Sequence, residues 1–437
     1  MKVNRTFITL ITILMALCAS AQSHKDGSVS QADVWKAYEA FNKVYLDTDK
    51  YIYKNTDRDR AALSRSEGAA AIWCQPMYVD MAINARDLAD ARGDKKRRER
   101  YDRLLRNVID GNIAHYAGFD FDDANENTGW FIYDDIQWWT ITLARAYKAT
   151  GDPRLLDLSA RSYARVWYGS PRVGDTGSYA DPAKGLKGGM FWQWQPLHAP
   201  RRNEADHGKM SCINFPTVVA AMLLYDAMPD SVQPDPAPER WTNGFGSFER
   251  PSHETKARYL EMAKEIYDWA EANLVDMNTG RVWDSSHGGR PGGHPLIYNQ
   301  GTYIGASALL YLATGEQRYL DSACRAADFC INDMSAEHGM LPWAHNPRNP
   351  YDQGSLEQGV YPAIWAEYMK ILIRDCGMTK YMPFLEHNIA QGWANRDRKR
   401  NICDGESWKA TDNSNIIGSY AASSVPALML VTFQLKN

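Results

Sequence analysis

The chain has 437 residues, a formal net charge of −4 and 23% charged residues. A chain of this length can bury a large core, and its length alone allows more than one domain. Because the charge balance is weakly acidic, no nucleic-acid partner is expected. Aromatic residues are numerous, with 15 Trp and 24 Tyr against 12 Phe. Their rings combine a flat apolar face with a polar group, which suits a cleft that binds sugars.

The first 21 residues have the pattern of a secretory signal peptide. Basic residues precede an apolar stretch over 7–17, and small residues at 19–21 offer a cleavage site. The apolar stretch is too short to span a membrane, and no later stretch has that length. Cys18 raises lipid anchoring as an alternative, but Leu17 stands where a lipidation site prefers a small residue. We therefore predict soluble export to the periplasm or the cell exterior.

Apolar residues recur at helical spacing along the rest of the chain, and no stretch shows the alternation that is typical of a strand. The sequence thus predicts an all-α protein. Twelve amphipathic helices are expected near 31–47, 72–92, 96–115, 134–150, 153–168, 210–228, 253–274, 299–315, 318–332, 357–374, 378–394 and 417–433.

A weak internal repeat marks the connections between paired helices. Residues 146–157 parallel 310–321, and 88–101 form a looser copy. In each copy a glycine stands where a left-handed residue ends one helix, and an acidic residue follows at the start of the next. Six such hairpins would form an (α/α)6 barrel, in which inner and outer helices alternate.

The loops between these helices differ in length on the two sides of the hairpins. The tight turns of the repeat lie on one side, and long loops rich in Gly, Pro and aromatic residues lie on the other, at 116–133, 169–209, 280–298 and 335–356. Functional residues are expected on the face with the long loops. The charged stretch 230–257 reads as a loop between two halves of one barrel, so residues 22–437 are predicted to form a single domain.

Two adjacent carboxylates, Asp134 and Asp135, stand at the start of a predicted helix and are followed by Trp138 and Trp139. Neighbouring acids repel, and two carboxyl groups of unequal pKa are what cleavage of a glycosidic bond requires. The alternative is a solvated pair that caps the helix. In the first turn, backbone N–H groups would lower the pKa of one acid, while a negative neighbour and aromatic walls would raise the other.

The motif Tyr133-Asp134-Asp135-x-x-Trp138-Trp139 resembles that of glycoside hydrolase family 76, the endo-α-1,6-mannanases. Further matches occur in order along the chain, at Gly188 to Trp192, Lys209 to Asn214, Tyr298 to Ala306 and Leu356 to Tyr368. This resemblance implies an (α/α)6 barrel and a retaining double displacement without metal or cofactor. It also implies that Asp134 is the nucleophile and Asp135 the general acid/base.

The resemblance and the residue types together nominate a set of substrate-binding residues: Trp138, Trp192, Trp194, Asn214, Tyr298, Asn299, Gln300 and Tyr303. Each of the two tryptophans in the 169–209 loop could stack on a sugar or pack within the loop. Asn299 could bind hydroxyl groups or cap a helix. Of Trp138 and Trp139, one is expected in the core and one in the cleft, and the sequence does not distinguish them.

The chain also departs from the family pattern around the expected cleft. Residues 195–206 form an insertion after the Gly-Gly loop, and Phe191 stands where a tryptophan is usual. Glu357 and Gln358 replace the usual basic residue. These departures affect the expected substrate more than the expected reaction mechanism.

The sequence therefore predicts an exported, monomeric enzyme that cleaves the backbone of an α-mannan. Another (α/α)6 enzyme, either an unsaturated glucuronyl hydrolase or a sugar epimerase, is the nearest alternative. A histidine such as His287 or His345 facing Asp135 would favour the epimerase. A non-catalytic glycan-binding protein is the alternative from another class. Metal binding by His287 with His294, or by His338 with His345, is not expected because no acidic residue has ligand spacing.

Overall fold

The computed structural model describes residues 28–123, 130, 132–193, 208–244, 246–343 and 356–436. The predicted signal peptide, Trp194, the insertion 195–206 and His345 lie outside these residues. Twelve α-helices occur in the described part of the chain, close to the predicted positions: α1 Gln31–Tyr45, α2 Gln75–Ala91, α3 Lys95–His115, α4 Tyr133–Thr150, α5 Pro153–Tyr168, α6 Ser211–Ala227, α7 Lys256–Leu274, α8 Ile297–Thr314, α9 Gln317–Phe329, α10 Tyr361–Lys370, α11 Met382–Ala394 and α12 Ser419–Leu435. The prediction of a mainly helical protein is confirmed.

The tight turns of the internal repeat have the predicted geometry. Gly93, Gly151 and Gly315 have φ angles of 67°, 71° and 71°. Only a residue without a Cβ adopts this conformation at little cost, so glycine ends the preceding helix. After the second of these turns, the Asp152 side chain accepts a hydrogen bond from the Arg154 N–H, and Pro153 is the first residue of α5. These local signals explain why each hairpin turns where it does.

Six helices contact one another in a closed ring. α2 contacts α4, and the contacts continue through α6, α8, α10 and α12 back to α2. The other six pack outside this ring: α1 and α11 on α12, α3 on α2, α5 on α4, α7 on α6 and α9 on α8. The ring joins helices from both halves of the chain. Among the helices that the structure describes, none is long and apolar enough to cross a membrane.

Short antiparallel strands join some of the loops, and here the expectation of a chain without strands is wrong. The pairs are β1 Leu46–Asp47 with β2 Ile52–Tyr53, β4 Glu239–Asn243 with β5 Gly246–Arg250, β6 Val275–Asp276 with β7 Arg281–Val282, and β8 Ser285–His287 with both β3 Lys209–Met210 and β9 Arg290–Gly292. Most of them have two or three residues, which is too short for an alternating pattern.

The longest hairpin, β4–β5, lies within the stretch predicted to be a loop. Its strands are mostly exposed, and Phe248 is the buried residue of β5. Trp241 stacks on Phe248 across the hairpin with 5.4 Å between ring centroids. Because almost every position is polar or exposed, the sequence carries no two-faced pattern that would have predicted this hairpin.

Two glycines allow α8 to approach α10 closely. A Cβ at Gly301 would lie 2.8 Å from the Cα of Trp365, and a Cβ at Gly305 would overlap the ring of Tyr368. Both helices belong to the ring, so these glycines are required by helix packing rather than by a turn.

We expect Gly305→Ala to lower the free energy of unfolding by about 1–3 kcal/mol, because the added methyl group overpacks this contact. Urea denaturation measures the change. The matched control is Leu312→Ala on the same helix, where the side chain is 45% exposed. This control should change stability by no more than about 0.5 kcal/mol. Equal stability of the two variants would contradict the close approach.

Candidate active site

A cavity of about 190 Å³ lies where the starts of five ring helices converge. Its wall contains one or more residues at or near the start of α2, α4, α6, α8 and α10, together with residues from the connecting loops: Trp73, Asp134, Asp135, Trp138, Trp192, Met210, Cys212, Tyr298 and Tyr361. Helix N-termini carry partial positive charge, which favours carboxylates at this place. The cavity therefore combines two acids, a ring of aromatic side chains and several helix ends.

Asp134 and Asp135 lie in the first turn of α4, and each is 9% exposed. Burial removes water from both carboxyl groups and raises the pKa of each. At Asp134 this rise is opposed by hydrogen bonds from Cys212, Trp192 and backbone N–H groups. At Asp135 the negative charges of Asp134 and Glu357 raise the pKa further. The first carboxyl group therefore ionises more readily than the second.

Buried contacts fix the start of α4 where these acids stand. The Tyr133 N–H donates to the Trp192 carbonyl over 3.2 Å. The Tyr133 hydroxyl donates to Asp175, which also accepts a hydrogen bond of 2.9 Å from Arg165. Asp175 and Arg165 are both nearly fully buried. This ion pair thus holds the residue that directly precedes the two carboxylates.

An arc of aromatic rings forms one wall of the cavity. Tyr298 and Tyr361 stack with 4.0 Å between centroids and an interplanar angle of 22°. Trp138 lies 6.3 Å from Tyr298, and Trp73 lies 6.3 Å from Tyr361. Trp139 instead lies in the core, where its indole N–H donates to the Ile72 carbonyl. The structure thus places Trp138 at the cavity and Trp139 in the core.

Asn214 fastens the loop that carries Trp192. Its Oδ1 accepts a hydrogen bond of 2.8 Å from the Met190 N–H, and its Nδ2 donates to the Met190 carbonyl over 3.2 Å. In the same loop, a Cβ at Gly189 would overlap the ring of Trp269. Asn214 is fully buried and does not line the cavity, so it acts on this wall through the loop.

Asn299, Gln300 and Tyr303 also lie away from the cavity wall. Asn299 donates from Nδ2 to Asp284 over 3.1 Å. The Tyr303 hydroxyl donates to Glu271 over 2.7 Å. Gln300 is fully buried and bonds to backbone groups. The structure thus brings Trp138, Trp192 and Tyr298 to the two aspartates. Substrate contact by all of the nominated residues stays a prediction.

Sequence reasoning missed several residues that the structure places at or beside the cavity. Trp73, Cys212, Met210 and Tyr361 line it. Asp284 lies beside this group, where burial raises the pKa of its carboxyl group. The signal that would have found most of them is position, since they stand at or just before the start of a ring helix. Asp134, Cys212 and Tyr298 are each the second residue of their helix.

Comparison with known proteins finds a protein family that part of this chain matches. Residues 251–435 match the family model of Glycosyl hydrolase family 76. No curated protein matches the chain. The matched segment contains Tyr298 and Tyr361 of the cavity wall, whereas the two aspartates precede it.

Solved structures share the fold. An inactive variant of the α-1,6-mannanase of Salegentibacter sp. HEL1_6, in complex with α-1,6-mannotriose, aligns with a TM-score of 0.67 at 20% identity over 92% of this chain and 99% of that one. A family 76 mannosidase from Bacteroides thetaiotaomicron VPI-5482 gives 0.65 at 16% identity over 93% and 99%. Dfg5 from Chaetomium thermophilum, in complex with glucosamine, gives 0.58 at 17% identity over 85% and 82%.

The family match identifies the protein as a glycoside hydrolase, and the acidic, aromatic cavity is its candidate active site. Its resemblance to glycoside hydrolase family 76, indicated by the sequence motifs, is confirmed.

Gln300 offers a test of the structural role that its contacts indicate. Its Nε2 donates to the carbonyls of Gly280 and Ala326 over 3.0 Å and 3.4 Å, and its Oε1 accepts from the Val282 N–H. Gln300→Ala should lower the free energy of unfolding by about 2 kcal/mol or more, because buried backbone groups lose their partners.

Urea denaturation checks this expectation. Gln317→Ala is the matched control, because Gln317 is exposed and bonds only to Asp321 on its own helix. An unchanged midpoint for Gln300→Ala, together with a raised KM for substrate, would instead point to direct substrate contact.

Proposed function

We propose that the protein is an exported, retaining endo-α-1,6-mannanase that cleaves the backbone of an α-mannan. The observation that carries this proposal is the pair of adjacent, buried carboxyl groups with unequal surroundings in an aromatic-walled cavity. Retaining glycosidases need one ionised nucleophile and one protonated acid at the same bond. The different neighbours of Asp134 and Asp135 supply this inequality.

We infer that residues 22–437 form a single (α/α)6 barrel that carries this site. The closed ring of six helices and the outer layer of six others support this inference. The starts of five ring helices meet at the cavity, as expected when the inner helices of such a barrel run in one direction. Export rests on the signal-peptide pattern of residues 1–21.

In the proposed mechanism, the ionised Asp134 attacks the anomeric carbon while Asp135 donates its proton to the departing glycosidic oxygen. The bond to the leaving sugar breaks as the ester bond between the anomeric carbon and Asp134 forms. Asp135, now ionised, takes a proton from water, and the resulting hydroxide attacks the anomeric carbon and releases Asp134. The anomeric configuration is inverted twice and so retained.

The substrate class is supported by the relatives. The Salegentibacter protein binds α-1,6-mannotriose as an inactive variant in which two adjacent aspartates are replaced by asparagines. An adjacent pair of this kind is what this chain carries at Asp134 and Asp135. A second cavity of about 210 Å³ shares Tyr361 with the first. We infer that a bound sugar chain extends from the first cavity to this neighbouring one, which would favour internal cleavage.

The alternative functions require different side chains in the cavity or give different products. An epimerase requires a histidine opposite the acid, but His287 is exposed and the described cavity wall consists of acids, aromatic residues, Met210 and Cys212. A non-catalytic binding protein would bind mannan and release no new reducing ends. Incubation with linear and branched mannans separates these cases, because an oligosaccharide ladder indicates endo action and mannose alone indicates exo action.

The roles of the two acids can be tested by single substitution. Asp134→Asn should abolish turnover of every substrate, because no nucleophile remains. Asp135→Asn should lower kcat on mannan by about 10²–10⁴-fold, the usual contribution of a general acid. With an aryl mannooligosaccharide, whose leaving group needs no proton, Asp135→Asn should keep the first step and show a burst of released phenol.

Asp157→Asn is the matched control, since Asp157 is an exposed aspartate on α5 that pairs with Arg161. This variant should act as the wild type. NMR spectroscopy of freshly formed product should show the α-anomer first. Wild-type activity in Asp134→Asn, or initial formation of the β-anomer, would overturn the assignment.

A further inference from the structure

Beside the cavity lies an ion pair that the proposed mechanism does not use. Arg65 Nη2 and Glu357 Oε1 are 2.5 Å apart. The carboxylate is nearly buried, whereas the arginine side chain is 57% exposed. Arg65 belongs to a short 3₁₀ helix before α2, and Glu357 precedes α10. The pair therefore joins two loops that enter ring helices on either side of α12.

The same carboxylate also holds part of the cavity wall. Glu357 Oε2 accepts a hydrogen bond of 2.8 Å from the indole N–H of Trp73. Trp73 lines the cavity together with Asp135 and lies 6.3 Å from Tyr361. Glu357 is thus bonded on one oxygen to a cation at the rim and on the other to an aromatic residue of the wall.

The negative charge of Glu357 and the positive charge of Arg65 both act on Asp135, in opposite directions. In a buried site, a unit charge at close range changes the proton affinity of a carboxyl group substantially. Asp135 must donate its proton in the first step of the proposed reaction and take one from water in the second.

The remaining titratable groups around Asp135 are neutral in the working pH range, apart from its neighbour. Burial raises the pKa of the Cys74 thiol, and it also raises the pKa of the Tyr116 and Tyr420 phenols. Asp134 lies on the same helix and is the other charged group that acts on Asp135.

We propose that Arg65 and Glu357 are a positioning pair for this site, which sets the pH range over which Asp135 keeps its proton and holds Trp73 in the cavity wall. This inference rests on the proposed function, because it assigns the acid role to Asp135. Glu357 favours the protonated acid, and Arg65 limits that effect. Neither residue is required to contact the sugar.

The test is the pH dependence of kcat/KM on a mannooligosaccharide. The alkaline limb reports loss of the proton from the general acid. Glu357→Gln removes a negative charge, so Asp135 loses its proton more easily and the limb should move to lower pH by about 0.5–1 unit. Arg65→Gln removes a positive charge, so the limb should move to higher pH by a similar amount. Shifts of opposite sign are not expected from a merely structural role.

Two further variants separate the effect of the pair's charge on Asp135 from its role in holding Trp73. Arg65→Lys keeps the charge and should restore the wild-type profile. Trp73→Phe keeps a ring but removes the N–H group, so it should raise KM and leave the alkaline limb in place. Thermal unfolding of each variant verifies that it is folded. Because the Arg65 side chain is mostly exposed, its substitution is expected to disturb folding less than substitution of Glu357.

The outcomes distinguish this inference from the proposed function. Cleavage of mannan by the wild type, with alkaline limbs that coincide or move in the same direction in the two variants, would overturn the pair and leave the function intact. Absence of cleavage by the wild type would overturn the function. In that case the titration of Asp135 is followed by infrared difference spectra against Asp135→Asn, and the same opposite shifts are expected.

Discussion

Two neighbouring, buried carboxyl groups cannot both be ionised without a large cost in free energy. The surroundings of the two carboxyl groups differ, so that one of them ionises more readily than the other. Burial raises the pKa of Asp134, but hydrogen bonds from Cys212, Trp192 and the first turn of its helix oppose this rise. Burial and the negative charges of Asp134 and Glu357 raise the pKa of Asp135, so it is the group that keeps a proton. The closed ring of helices makes this possible, because it brings the positive ends of several helices to one cavity.

The rest of the helical fold keeps that first turn in place. The Tyr133 hydroxyl is bound to Asp175, which pairs with Arg165 of α5 in the interior. Arg250, at the end of the exposed hairpin β4–β5, reaches the same region and binds both oxygens of Asp122 over 2.8 Å. The hairpin therefore holds the loops before and after the helix pair α4–α5 in place, because Arg250 bonds to both of them. A buried ion pair contributes little net stability, but loss of one partner is costly, so these residues specify position more than they add stability.

Much of this architecture could be predicted from the sequence, because its signals are local. Helical spacing of apolar residues located the twelve helices, and the Gly-acid pattern at Gly151 and Gly315 located the tight turns. The two aspartates stood out because adjacent acids beside adjacent indoles are unusual in a buried segment. The strands could not be predicted, since their pairing depends on loops that meet only in the folded chain. The same limit applies to Trp73, whose place in the cavity depends on Tyr361, almost three hundred residues away.

Residues near the starts of the ring helices differ in depth, and this difference explains which of them reach the cavity. Asp134, Cys212 and Tyr298 are each the second residue of a ring helix and face the cavity. Gln300 and Tyr303, deeper in α8, bond instead to the surrounding protein. At the start of a helix the backbone N–H groups have no partner within the helix, so the ends of the ring form a polar layer open to a ligand. Below that layer, amide and hydroxyl side chains are enclosed and must be satisfied by the protein itself. In α4, α6 and α8 the second residue of the helix therefore faces the cavity. The polar groups of Gln300 and Tyr303 instead belong to the frame that holds the site.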